Sequence, residues 1–522
     1  MGSVPDGLHI WALAGAAALL AGLALVAIYA FGSAGQRKQG EPSFALPVKP
    51  AETALDQAIA PLSSLHPGES GLRLLSSNLA AFSARMETAR LAGRSLDLQY
   101  YFWKNDLTGR LLLHAVIGAA DRGVRVRLLL DDINSFGFDP SLLALDSHPN
   151  ISVRLFNPSR SRSNAFRRGI ELAARYFTAT RRMHNKCLIA DGRVLIAGGR
   201  NIGDEYFDAS REANFRDADL LAVGDCVAEA AAVFDLYWNS PSALPIRTLH
   251  KIRRIRRPRL SRLMRRLDAS RDSEAGQIFL ASIAKVPEPD GLGLLEWSAG
   301  VEVIADPPEK AAGRARHQWM GERINALMAA TRHSLLISSP YFIPGMAGTA
   351  TLTALAAEGR TIRILTNSLA ATDVLAVHGA YARYRQALVA AGIAIHELKP
   401  EHRRRRASLF GSRTASLHTK AFLIDDELGF VGSFNLDPRS HSINTEMGLF
   451  FRCPHVVRQL RSVFETEMGP DASYELMLQG SRLVWRDTQD GTVLEHGSEP
   501  LAPLRRRIPA RIIAWLPIES QL

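Results

Sequence analysis

The sequence predicts an α/β fold: two homologous domains that form one pseudo-two-fold unit, preceded by an N-terminal transmembrane helix. Three observations predict it. A charge-free apolar run opens the chain, strand and helix signals alternate after it, and the alternating series occurs twice at a spacing near 235 residues. That spacing is too long for a solenoid and right for two copies of one domain.

The opening run, residues 10–31, reads IWALAGAAALLAGLALVAIYAF, long enough to cross a bilayer core of about 30 Å as a helix. Trp11 and Tyr29 sit near its ends, where amphipathic rings favour the membrane interface. A cleavable signal peptide fits less well, because the leader MGSVPDGLH lacks Lys and Arg. No Cys follows that would mark a lipoprotein. Arg37 and Lys38 beyond the run, against Asp6 before it, favour a cytoplasmic catalytic portion.

The chain divides into a transmembrane helix in 1–35, a Pro/Gly/Ala-rich linker in 36–70, a first domain in 71–245, a basic connection in 246–295, a second domain in 296–470 and a C-terminal extension in 471–522. In the first domain, SLDLQYYFW (95–103) predicts a strand, the next stretch an amphipathic helix ending at Gly123, and VRVRLLLDD (124–132) a second strand carrying Arg125 and Arg127 on one face. In the second, SLLISSPYF (334–342), a helix ending at Gly359 and RTIRILTNS (360–368) repeat the series. Gly123 and Gly359 stand 236 apart, and Tyr101 and Tyr341 stand 240 apart. The Arg-rich 250–267 reads as a surface connection, solvated or set against anionic lipid. The tail ends RRRIPARIIAWLPIESQL, which fits either an interfacial membrane segment or a helix docked on the catalytic domain.

Composition narrows the partners. The 522 residues carry a formal charge of +11 and 47% hydrophobic residues, favouring anionic ligands: lipid head groups, nucleic acid or other phosphates. Cys187, Cys226 and Cys453 form no CxxC or Cys/His cluster, so neither a disulfide framework nor a zinc site is indicated.

The chemistry lies in a duplicated motif. His184, Lys186, Asp191, Gly198-Gly199 and Asn201 recur as His418, Lys420, Asp425, Gly432-Ser433 and Asn435, each 234 residues on. Both copies read H-x-K-x4-D-x6-G-[GS]-x-N, too long a frame for coincidence. His and Lys at i and i+2 of an extended chain share a face and can address one ligand. Lys brings a compact cation for phosphate oxygens, Asn a neutral donor, and the Gly-Gly or Gly-Ser pair close backbone approach. Imidazole can move a proton near neutral pH and can attack phosphorus. Two copies across a pseudo-dyad would put two His, two Lys and two Asn around one phosphate, with Gly199 and Ser433 completing the cradle.

These frames resemble the HKD motifs of the phospholipase D superfamily, over about residues 70–470. RSLDLQYYFW, GVRVRLLLDDIN, RRMHNKCLIADG, GGRNIGDEYF and the ending WLPIESQL further resemble bacterial cardiolipin synthases of the C type. The resemblance implies paired α/β/α domains with the active site at their interface, a phosphohistidine intermediate, and no metal or cofactor. By that analogy His184 is the nucleophile and His418 the general acid and then base; near-symmetry leaves the reverse open. Asp191 and Asp425 read as structural partners at strand ends. Each histidine is expected to be oriented by a carboxylate downstream in its own half: Glu446 in the second, Asp217 in the first, with Asp219 and Glu212 as rivals.

The resulting expectation is a phosphatidyltransferase of the bacterial inner membrane, making cardiolipin from phosphatidylglycerol with phosphatidylglycerol or phosphatidylethanolamine as donor. The alternatives are hydrolysis to phosphatidic acid, a superfamily nuclease, and a non-catalytic phospholipid-binding scaffold. The membrane run and basic-apolar tail point away from nucleic acid, and no protein partner is indicated.

Overall fold

The computed structural model describes residues 39–522 apart from 134, 136, 160–179, 251–259, 287–293, 401–408, 413, 490 and 517, and before them only 15, 17, 21 and 22. The expected transmembrane run therefore lies almost wholly outside the described residues. Among the described residues no helix is long and apolar enough to cross a membrane.

The duplication is visible in the sheets. In the first half Ser95–Tyr100, Arg125–Asp131 and Ile151–Phe156 run parallel, and the hairpin Cys187–Ala190/Val194–Gly198 lies antiparallel beside Ser95–Tyr100. In the second half Ser334–Ser338, Thr361–Asn367 and Ala394–Leu398 are parallel, with the hairpin Ala421–Ile424/Leu428–Gly432 in the same place. These strands are buried almost throughout, as strands covered on both faces are, and their polar side chains are taken up by partners inside the sheet. Among the described residues the two large sheets comprise nine and ten strands.

Helices Asn78–Leu91 and Leu107–Asp121 cover the outer face of the first sheet through Leu96, Leu98, Val126 and Leu128. The inner faces meet in one shared core: Cys187, Ile189 and Leu195 with Leu423, Val431 and Leu449, flanked by helices Asp225–Trp238 and Pro454–Met468. Apolar packing between the halves thus brings the ends of the two motif hairpins together. Arg127 is not a surface charge, since its guanidinium forks onto Asp97 of the adjacent strand at 2.6 and 2.7 Å.

Three stretches are more structured than their composition predicts. The 36–70 linker contains the helix Ala54–Leu65, opened by a Thr53/Asp56 capping box and burying Leu55 and Ile59. Pro61 inside that helix hides the signal. In the 246–295 connection, Leu260–Arg271 keeps Arg262, Arg265 and Arg266 exposed while Leu263 and Leu267 are buried, and Glu274–Ile283 packs beside it. Residues 251–259 of the basic run lie outside the described residues. The extension beyond 470 continues the second sheet, with Ser473–Gln479 pairing Ala394–Leu398 and two more strands following. Its helix Leu504–Trp515 rests on Leu375–Tyr381, where Gly379 leaves room for Ala510 and Ile513. The boundary at 296 also shifts, because Glu296–Ser298 pairs with Ser70–Leu75 of the first sheet.

Candidate active site

Each motif histidine enters the site tied to the opposite half. The His184 amide donates to the Thr445 carbonyl at 2.8 Å, and the His418 amide to the Arg216 carbonyl at 2.7 Å. Thr445 and Arg216 immediately precede Glu446 and Asp217. The strand Ala213–Arg216 lies parallel to Thr414–Leu417, which fixes the second of these crossings.

The orienting carboxylates therefore cross over. His184 Nδ1 lies 2.8 Å from Glu446 Oε2, and His418 Nδ1 lies 2.6 Å from Asp217 Oδ2. This corrects the expectation that each carboxylate serves its own half: spacing along a repeat does not show on which side its returning loop passes the dyad. The rivals to Asp217 are placed elsewhere. Asp219 is held by Arg85 at 2.8 Å and Arg200 at 3.2 Å, and Glu212 is exposed.

Lys186 and Lys420 each donate to their own histidine's carbonyl at 2.6 Å, and Lys420 Nζ also lies 2.9 Å from His418 Nδ1. The two histidines and two lysines are all buried. Burial, then Lys186 and Lys420, hold His184 well below the usual imidazole range. Burial and Lys420 lower His418 also, against the opposing pull of Asp217. Burial brings Lys420 down to about 8 and pushes the Glu446 carboxyl up to about 7.

Asn201 and Asn435 are buried, and the Oδ1 of each has no hydrogen-bond partner among the described residues. Asn201 Nδ2 donates to the Tyr206 hydroxyl at 3.0 Å, so part of its donor capacity is spent within the protein. Ser433 is not the free phosphate donor expected from the motif. Its hydroxyl donates to Glu446 Oε2 and accepts the Met447 amide at 3.0 Å. Gly199 has a matching reason to be glycine, since a Cβ there would meet Asp217 Oδ1 at 2.1 Å. The Gly199/Ser433 difference thus accommodates the two carboxylates.

Asp191 and Asp425 face away from this chemistry. Asp191 accepts the amides of Gly93, Arg94 and Ser95 at 2.7–2.9 Å, and Asp425 those of Arg332, His333 and Ser334. Both have positive φ, 54° each, a conformation Asp tolerates better than most residues.

Sequence reasoning missed the aromatic walls. Tyr101 meets His184 edge-on at 5.0 Å, while Tyr206 and Phe215 lie 5.1 and 4.9 Å from His418. By strand register Tyr341 is the counterpart of Phe102 and not of Tyr101, and it donates to Asp373 at 2.7 Å. The aromatic run from Tyr100 to Trp103 at the end of the strand was the available signal. Among the described residues no group of three or more His, Cys, Asp and Glu side chains is placed to hold a metal ion.

With each imidazole Nδ1 set against a carboxylate, each Nε2 is left for a substrate, and Lys186 and Lys420 stand behind them. The arrangement suits in-line displacement at a phosphodiester. Segments 86–238 and 324–468 match the family described as cardiolipin synthase, PLD-like domain. Cardiolipin synthase C of Escherichia coli (strain K12) is 38% identical over 484 residues, covering 89% of this chain and 99% of that protein. A cardiolipin synthase of Staphylococcus aureus (strain N315) is 24% identical over 426 residues, 81% of this chain and 72% of that one. The solved phosphatidylserine synthase of Haemophilus influenzae Rd KW20 shares the fold, with a TM-score of 0.57 at 13% identity over 88% of this chain and 99% of that one. The matched segments contain one complete His-Lys-Asp frame each, and the chain belongs to the cardiolipin synthase, PLD-like domain family of the phospholipase D superfamily.

Proposed function

We propose that the protein is a membrane-bound phosphatidyltransferase that forms cardiolipin from phosphatidylglycerol. The crossed histidine–carboxylate pairs carry this reading. They leave two imidazole Nε2 atoms for one phosphodiester, and they hold the two rings in unequal environments. The relative named cardiolipin synthase C, matched over nearly its full length, supports the choice of lipid product.

His184, held neutral by burial and the two lysines, is the nucleophile. Its Nε2 attacks phosphorus of the donor lipid, a P–N bond forms, and the P–O bond to the head-group alcohol breaks. His418, whose protonated form Asp217 supports, gives its proton to the departing alcohol. That alcohol is glycerol from phosphatidylglycerol, or ethanolamine from phosphatidylethanolamine. The terminal hydroxyl of a second phosphatidylglycerol then loses its proton to His418 and attacks phosphorus, releasing His184 and cardiolipin. Lys186 and Lys420 balance the charge on the non-bridging oxygens throughout.

The lipid reading draws on the surface of the C-terminal helix. Leu504, Ile508, Ile512 and Trp515 are exposed at helical spacing, Trp515 to 90%, beside exposed Arg505 and Arg511. The reading includes a single membrane pass through residues 10–31 in a bacterial inner membrane, with the catalytic portion on the cytoplasmic side beyond Arg37 and Lys38.

The test incubates the purified full chain with labelled phosphatidylglycerol vesicles, with and without phosphatidylethanolamine, in EDTA. Cardiolipin and an equal amount of released alcohol are expected. Phosphatidic acid as the dominant product would replace transfer by hydrolysis, and activity only on DNA would replace the lipid.

A further inference from the structure

The pseudo-two-fold fails at one place on the outer faces. In the first half, the helix Glu274–Ile283 packs against Asn78–Leu91 and Leu107–Asp121. Its Phe279 meets Phe82 edge-on at 5.0 Å, Phe82 meets Phe207 at 4.9 Å, and all three rings are fully buried. The chain itself fills this groove with an apolar occupant.

In the second half the counterpart helices are Met320–Ala329 and Gly345–Ala357; the one-turn helix Pro438–Ser442 packs on the first and Arg385–Ala390 on the second, and among the described residues no helix lies across both as Glu274–Ile283 does. The residues at the contact are smaller. His441 stands 234 residues after Phe207, at the motif's own offset, and packs over Gly321 as Phe207 packs on Phe82. At the Gly123–Gly359 offset, Ala347 and Gly348 stand where buried Leu111 and Leu112 stand in the first half. What remains is a groove of about 360 Å³ walled by Met328, Ile337, Phe342, Leu352, Phe434 and Leu436.

Phe434 and Leu436 flank Asn435 of the phosphate cradle, so the wall of the groove and the catalytic loop are one piece of chain. At its mouth, the helix Gly345–Ala357 has no charged residue and leaves Met346 81% exposed, with Ala347 and Thr351 exposed beside it. The C-terminal segment that carries the exposed apolar ridge ends here. A Cβ at Gly345 would lie 3.6 Å from Glu519, and the Arg439 amide donates to the Leu522 carbonyl at 2.8 Å.

We infer that this open groove of the second half holds one fatty-acyl chain of the phosphatidyl lipid whose phosphate is engaged at His184 and His418. Resting on the lipid reading above, it deepens that reading by giving the two halves different work: the first half's groove is sealed by Phe279, and the second half's admits the chain. Moving a chain from bilayer to an apolar groove exchanges one apolar setting for another, so the lipid can rise to the cradle without exposing that chain to water.

The test photolabels the full-length protein in vesicles with phosphatidylglycerol bearing a diazirine at the end of one acyl chain, and maps the label by mass spectrometry. Label on the peptides containing Met328, Leu352 or Leu436 is expected, together with surface label on residues 504–516. Thr351→Trp, which places a large ring at the mouth, is expected to cut groove labelling at least tenfold while labelling of 504–516 persists. Ala347→Phe provides a second obstruction should the first variant fail to fold. Label confined to 504–516 in the native protein, or groove labelling undiminished in a folded obstructed variant, would overturn the assignment. Labelling needs no turnover, so groove label without cardiolipin formation would remove the proposed activity and leave the groove assigned.

Discussion

The crossed pairing makes a prediction that separates it from an uncrossed site. Glu446 should govern nucleophilic attack through His184, and Asp217 should govern protonation of the leaving group through His418. Glu446→Gln and Asp217→Asn each keep side-chain shape and remove one charge-assisted hydrogen bond, an interaction contributing roughly 1.5–3 kcal/mol. At 1.36 kcal/mol per tenfold, each variant should lose about 10- to 160-fold in turnover of phosphatidylglycerol. The two losses respond differently to the leaving group. p-Nitrophenolate departs without a proton, so rapid mixing with phosphatidyl-p-nitrophenol reads the first step alone as a burst. Asp217→Asn and His418→Ala should keep a burst near the native rate and then stall. Glu446→Gln should slow it by the full 10- to 160-fold, and His184→Ala should abolish it. A burst spared in Glu446→Gln and slowed in Asp217→Asn would show that each carboxylate serves its own half, refuting the crossing.

Three further outcomes are expected. The kcat/KM profile for phosphatidylglycerol should fall below about pH 7, where Glu446 takes up a proton and its charge-assisted bond to His184 is lost, and Glu446→Gln should remove that acid limb; a limb left in place would assign it to another group. Asp191→Ala strands three backbone amides at a strand end and should cost roughly 3–5 kcal/mol of stability in chemical denaturation, whereas a loss under about 1 kcal/mol would contradict the structural role. Brominated phospholipids in the vesicle should quench native tryptophan fluorescence more than that of Trp515→Phe; equal quenching would place Trp515 away from the bilayer.

Much of the site was legible because it is duplicated. The 234-residue offset between His184 and His418 identifies both half-sites, and apolar Cys187–Ala190 and Ala421–Ile424 mark the strands that carry them. What did not show was how the halves face each other. The crossing depends on where Thr445 and Arg216 pass the opposite histidines, a contact between residues some 200–260 positions apart that local pattern does not encode. Ser433 misled for a related reason: a hydroxyl beside the motif reads as a donor to ligand until Glu446 is found to accept its proton. The linker reading of 36–70 followed Pro and Gly content and missed the Thr53/Asp56 box that opens a packed helix. Tyr101 and Tyr341 stand 240 apart without being register equivalents, since Leu335 takes the place of Leu96, and the place of Tyr101 beside His184 emerged only from packing.

The central claim is that the two halves form one site in which His184 carries the phosphatidyl group. Its most direct test mixes the His418→Ala protein with phosphatidyl-p-nitrophenol, quenches under alkaline denaturing conditions and sequences the adduct by mass spectrometry. One phosphatidyl group per chain, bonded to His184, is expected. No adduct on His184 despite a full p-nitrophenolate burst, or an adduct on another side chain, would contradict the account.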